Sequence, residues 1–179
     1  HGHMEKVGYD MYCKLLEDAV KELKGEKIKQ IQPIKMDIAI SANLPEDYVN
    51  GEDERINLYS KISTISTDKE CEQIENQLKE SYGKPPKEAI NLLKIAYLKN
   101  ICVGLGVKRV LINVNSCKLY LYKVQNIMPE GLAKELSEHK NGALSFEDTP
   151  VISFDMGMST TEQKLDFMLD FCKKSAQNK

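Results

Sequence analysis

A chain of 179 residues is long enough to bury one real core, and 41% hydrophobic with 29% charged residues is the balance of a globular domain, which excludes a disordered or membrane-spanning chain. Twenty-five Lys and Arg against 27 Asp and Glu leave a formal charge of −2, so the surface lacks the positive excess that holds a phosphate backbone. No apolar run approaches the ~20 residues of a bilayer span, and residues 1–5 have neither the basic flank nor the apolar stretch of a secretory signal, so a cytoplasmic chain is expected.

Tyr12, Leu15, Leu16, Ala19, Val20 and Leu23 recur at three- and four-residue steps over residues 8–24, with Gly25 as a stop, which predicts an amphipathic linker helix. Residues 26–33 read as a connector. Strict alternation of Ile34, Met36, Ile38 and Ile40 predicts a half-buried strand over residues 34–41. Leu44-Pro45-Glu46-Asp47-Tyr48-Val49 then makes a turn, and Asn50 is placed to cap a helix over residues 51–65 with a buried stripe of Ile56, Tyr59 and Ile62. Thr67 with Glu70 forms a capping box for a second helix that packs through Cys71, Ile74 and Leu78 and stops at Gly83. Pro85-Pro86 opens a third helix, residues 87–105, so apolar around its circumference that it is expected at the centre of the domain.

Two β-rich runs, residues 109–114 and 118–124, flank Asn115-Ser116-Cys117 and read as a hairpin. A short helix over residues 128–140 follows, with Pro129 near its first turn, and then two short strands, residues 144–146 and 151–154. Ser159 and Glu162 are placed to cap a last helix that runs to about residue 174. The expected fold is α+β: helices packed with a small, mostly antiparallel sheet, preceded by the linker helix.

The chemistry-bearing residues point away from catalysis. There is no G-x-x-x-x-G-K-[ST] loop to cradle phosphates, Gly104-Leu105-Gly106 lacks the rest of a dinucleotide fingerprint, and neither G-x-S-x-G nor H-E-x-x-H occurs. The histidines are His1, His3 and His139, and His139, within Ser137-Glu138-His139-Lys140, reads as a solvated helix end. His1-Gly2-His3 would chelate a square-planar metal only with a free amine at His1, so no metal site is expected. Glu52, Asp53 and Glu54 sit in the first turn of a predicted helix, where carboxylates complement the helix dipole. Cys13, Cys71, Cys102, Cys117 and Cys172 are odd in number with no C-x-x-C pair, which supports neither a disulfide framework nor a zinc site and predicts free thiols packed as small hydrophobes.

One surface remains. With Cys71, Ile74 and Leu78 turned inward, Gln73, Asn76, Gln77, Glu80 and Ser81 form a polar face on a well-capped helix. Such a face is commonly just hydrated, and it is also the material of releasable domain–domain contacts.

Val7-Gly8-Tyr9-Asp10-Met11-Tyr12 with Leu15-Leu16-Glu17-Asp18-Ala19-Val20, then Leu44-Pro45 with Tyr48-Val49, Arg55-Ile56 with Tyr59, and Tyr82-Gly83 with Pro86 and Asn91-Leu92-Leu93, resemble in order and spacing the C-terminal part of bacterial transcription-repair coupling factors. Residues 1 to about 110 carry the resemblance. It implies that residues 1–30 are the tail of a motor region and its connector, and residues 31–179 a C-terminal regulatory domain.

The parent in this family is an ATP-driven DNA translocase that displaces stalled RNA polymerase and recruits UvrA for nucleotide excision repair. The resemblance implies that the domain packs on the parent's own UvrB-like module and masks UvrA binding. The resemblance places the docking surface at Gln77, Glu80 and Ser81, where this chain reads Glu80-Ser81-Tyr82-Gly83 and the family commonly Asp-Arg-Phe-Gly. No enzyme activity, no cofactor and no direct nucleic-acid contact are expected of this chain. The competing reading is a small stand-alone cytosolic enzyme or nucleic-acid-binding module that shares only local patterns.

Overall fold

The computed structural model describes residues 33–122 and 129–178; the linker helix expected over residues 8–24 lies outside them. The described residues hold five helices and a five-stranded mixed sheet and form two compact units, residues 41–97 and residues 34–40 with 98–178. The α+β expectation is borne out.

The first unit opens with a tight turn in which Tyr48 N and Val49 N both donate to Pro45 O at 3.0 Å. Helix α1, Glu52–Ile62, follows. Its N-cap is Gly51, with no side-chain cap, and not Asn50 as expected; the three carboxylates of the first turn complement the exposed N–H groups instead. The stripe also differs: Leu58 and Ile62 are buried, joined by Ile65 beyond the helix end, whereas Ile56 is 39% exposed. Two stripes at helical spacing share Ile62, and pattern alone could not choose between them.

Helix α2, Asp68–Tyr82, ends at Gly83, whose φ of 82° suits a residue without Cβ. Helix α3, Lys87–Gly104, gives residues 87–97 to the first unit and 98–104 to the second. Its Leu92, Leu93, Ile95, Tyr97 and Leu98 are buried as expected. Ile101 is only half-buried and Val103 is 60% exposed, so the last turn is no longer apolar-packed all round, although its Cys102 stays fully buried.

In the second unit the sheet order is β1-β2-β3-β5-β4, with β1 (Lys35–Ile38), β2 (Val107–Ile112), β3 (Cys117–Leu121), β4 (Gly142–Phe146) and β5 (Pro150–Phe154). Only the β1–β2 pair is parallel. Ladder partners Met36–Val110, Ile38–Ile112, Val110–Leu119, Ile112–Cys117, Leu119–Ile152 and Cys117–Phe154 place one buried column across the sheet. A bulge between Val107 and Arg109 turns Val107, rather than Lys108, into the core, and so the strand begins before residue 109. The opposite face carries Asp37, Arg109 and Tyr120: the Arg109 guanidinium bonds Asp37 at 2.7 Å and lies 4.9 Å from the Tyr120 ring centroid. The hairpin turn is closed by Asn113 Oδ1, which accepts from Asn115 N at 2.9 Å and Ser116 N at 2.6 Å.

Helix α4, Glu130–Ser137, and helix α5, Thr161–Gln177, pack together around Leu132, Leu165, Met168 and Phe171. A Cβ at Gly131 would stand 2.1 Å from Ser175 O, so only glycine permits this approach. The cap of α5 is one residue later than expected. Thr160 and Gln163 form the reciprocal box, because the Ser159 hydroxyl is spent on Met156 O at 2.6 Å.

His139 is not a solvated helix end. It is half-buried, its Nε2 stands 3.0 Å from the Glu135 carboxylate, and its ring meets the edges or faces of Phe154, Phe167 and Phe171. The polar sequence around it hid an aromatic pocket assembled from β5 and α5.

Leu93 is 1% exposed, and Leu93→Ala is expected to lower stability by about 2–5 kcal/mol in chemical denaturation, with Ile101→Ala costing less because that side chain is only half-buried.

Candidate functional site

Helix α2 starts from Ser66 and Thr67. The Thr67 hydroxyl accepts from Glu70 N at 3.2 Å, and the Glu70 carboxylate reaches back to Ser66 N at 2.7 Å and to the Ser66 hydroxyl at 3.2 Å. The returning arm of the predicted box therefore lands one residue earlier than Thr67, with the same effect of occupying an orphan donor. These bonds, Ser66 N–H first, hold the Glu70 carboxyl below its ordinary value of 4.5 against a partial desolvation that pushes it up.

Of the fifteen residues in α2, Leu78 alone is buried; Cys71 and Ile74 are half-buried. The helix lies shallow, and tyrosines hold it at its ends. At the first residue, the Tyr97 hydroxyl donates to Asp68 Oδ1 at 3.1 Å, and burial together with that carboxylate pushes the phenol up to about 12. At the far end, the Tyr48 hydroxyl stands 2.8 Å from Gly83 O and 3.2 Å from Leu78 O. The Tyr82 ring packs edge-on against Tyr48 with centroids 5.8 Å apart, and its hydroxyl donates to Glu54 Oε2 at 3.2 Å. Burial raises both phenols above their ordinary value.

The structure brings the three residues expected at the docking surface onto one face. Gln77, Glu80 and Ser81 follow at three- and four-residue steps in the last turns of α2. Glu80 and Ser81 are exposed, as are Gln73 and Asn76. Gln77 is half-buried, which corrects the expectation that it points fully to solvent. Lys79 is drawn to Glu75 at 3.2 Å, which leaves the Glu80 carboxylate as the outward charge of the last turn. The tyrosine clamps went unrecognised in the sequence. Their signal was there in Leu44-Pro45 followed by Tyr48 and in Tyr82-Gly83, aromatics set beside turn-forming residues.

Elsewhere, among the described residues, no group of three or more His, Cys, Asp or Glu is placed to hold a metal, and no helix is long and apolar enough to cross a membrane. Cys71, Cys102, Cys117 and Cys172 are thiols outside any disulfide, and the Cys102 and Cys172 sulfurs lie 3.9 Å apart in the core. A polar hollow of about 150 Å³ lies beside the β2–β3 turn, lined by Asn115, Ser116, Asp155 and Lys164 among others.

Fold and surface together define a small α+β domain that carries a capped, tyrosine-held helix with a polar outer face. The family model of the TRCF domain matches residues 38–132, and the chain belongs to that family. A transcription-repair-coupling factor of Buchnera aphidicola subsp. Baizongia pistaciae is 27% identical over 174 residues, covering 94% of this chain and 25% of the relative. The Escherichia coli K12 protein of the same name is 23% identical over 185 residues, covering 99% of this chain and 16% of its own length. A crystal structure of the C-terminal domain of transcription-repair coupling factor superposes with a TM-score of 0.73 at 22% identity, over 82% of this chain and 94% of that one. The chain thus has the fold of that C-terminal domain and spans a quarter or less of these two full-length relatives.

A carboxyl depressed in the folded state adds stability above its unfolded pKa and loses it as pH falls through the folded one. For Glu70 that loss begins below about 4.5, so melting temperatures followed between about pH 3 and pH 6 should decline at the acid end, and Glu70→Gln should flatten that decline.

Proposed function

We propose that this chain is the regulatory docking domain of a transcription-repair coupling factor. Residues 31–179 pack through the α2 face onto the parent's UvrB-like module and mask UvrA binding, and residues 1–30 end the motor region and connect it to the domain. The parent is then a cytoplasmic, ATP-driven DNA translocase that displaces stalled RNA polymerase, and this domain supplies restraint rather than chemistry. The observation that carries this reading is the seating of α2: a polar face that buries little in its own domain, yet is capped and tied at both ends.

The scale of the contact suits a restraint that a partner must release. Moving a population from about 1:99 to 99:1 needs about 5.5 kcal/mol of differential binding. A polar interface centred on Gln77, Glu80 and Ser81 can supply a few kcal/mol and still open, where an apolar one of the same area would resist release.

In the full-length parent, Gln77→Arg with Glu80→Arg should raise basal ATPase and expose UvrA capture, because the outward carboxylate becomes a cation and the half-buried amide becomes bulky. In the 179-residue chain the same pair should leave the fold intact, with a small drop in melting temperature from Gln77. Unchanged ATPase and capture would remove this face from the mechanism.

A further inference from the structure

We propose that Tyr48 is a positioning residue for the docking face, acting through the carbonyl groups of Leu78 and Gly83; the inference rests on the docking reading above. The argument begins with backbone accounting. The last carbonyls of a helix lack intrahelical donors, and here the chain leaves α2 through Gly83 at φ 82° into Lys84-Pro85-Pro86. Neither proline has an N–H, so the following segment offers the Gly83 carbonyl few local partners. The Tyr48 hydroxyl fills that role. Its oxygen stands 2.8 Å from Gly83 O, the nearer acceptor for its single proton, and 3.2 Å from Leu78 O, the lesser one.

Those two carbonyls bracket the face. Leu78 is the neighbour of Gln77 and lies two residues from Glu80, and Gly83 lies two residues from Ser81. A shift of α2's end therefore moves all three docking residues together. Packing does little to prevent such a shift, since Leu78 is the helix's only buried side chain.

The clamp is itself stiff. Val49, next to Tyr48, is fully buried, and its carbonyl accepts from Arg55 Nη1 at 2.8 Å. Leu44 N donates to the Tyr59 hydroxyl at 2.9 Å. The turn that carries Tyr48 is thus bolted twice to α1, and Tyr48 transmits that position to the end of α2. A face fixed before it meets its partner loses less freedom on binding, so removal of the clamp should weaken docking while the core stays folded.

The test titrates the separately produced UvrB-like module of the parent with the 179-residue chain and follows amide hydrogen exchange. Tyr48→Phe keeps the ring against Tyr82 and removes only the hydroxyl. It should raise Kd about threefold to tenfold, the worth of one net hydrogen bond, and speed exchange at Glu80–Gly83. Ile152→Val, a core change in the other unit, should leave Kd and that exchange unchanged, which separates positioning from general destabilisation.

Should Tyr48→Phe fail to fold, Gly83→Ala attacks the same bond from the acceptor side. Its Cβ meets nothing within 4 Å, and the positive φ strains the carbonyl's placement, so the same rise in Kd is expected. If Gln77→Arg with Glu80→Arg weakens binding and neither the Tyr48 nor the Gly83 variant does, the positioning role is overturned and the docking reading stands. If the arginine pair has no effect, the docking reading falls and this inference with it.

Discussion

Because α2 buries only Leu78, its position has to come from its ends, and tyrosine hydroxyls supply both anchors. Tyr97 reaches Asp68 from α3, and Tyr48 reaches Gly83 from the turn after β1. A phenol suits this task, since its ring contributes apolar contact while its single polar atom reaches one backbone or carboxylate oxygen. The first unit can be followed as a chain of such bonds: α1 holds the turn through Arg55 and Tyr59, the turn holds α2 through Tyr48, and α2 holds α1 through Tyr82 and Glu54. A loop of constraints of this kind orients a helix without covering it, and the outer face stays free of apolar packing.

The second unit is built differently. Its sheet is secured by a continuous apolar column from Met36 and Ile38 to Ile152 and Phe154, and by helices that meet closely where Gly131 lies under the Ser175 carbonyl. Its polar residues serve the scaffold. Lys164, 2% exposed, donates from Nζ to Asn113 O at 2.7 Å and Val114 O at 2.9 Å and so ties the β2–β3 turn to α5, while Glu135 and His139 pair beside three phenylalanines. Such buried polar groups are satisfied and hold structure, which is the ordinary role of a partnered interior group.

Membership of the TRCF domain family gives the sequence differences at α2 a physical meaning. Ser81 stands where the resemblance sets an arginine, so the cation beside Glu80 in the last turn is Lys79, which is drawn back to Glu75 at 3.2 Å. Tyr82 stands where the resemblance sets a phenylalanine, and its hydroxyl draws Glu54 to the same end of the helix at 3.2 Å.

Much of this was legible from the chain alone, for reasons of period and punctuation. Alternation marked β1, helical spacing with Thr67, Gly83 and Pro85-Pro86 marked the bounds of α2 and α3, and the ordered motifs identified the family, because such signals depend on residues close in sequence. The location of Gln77, Glu80 and Ser81 on one face followed from helical geometry in the same way. Other features depend on partners that local pattern does not name. The choice between the Ile56 and Leu58 stripes of α1, the bulge that turns Val107 inward, the phenylalanine cluster around His139 and the Tyr48 clamp on Gly83 each join residues distant in sequence or decide between faces of equal periodicity. Local pattern determined which segments were helices and strands and where the polar face lay; tertiary packing alone decided what holds that face in place, since a hydroxyl and a carbonyl 35 residues apart are brought within hydrogen-bond reach only by the folded chain.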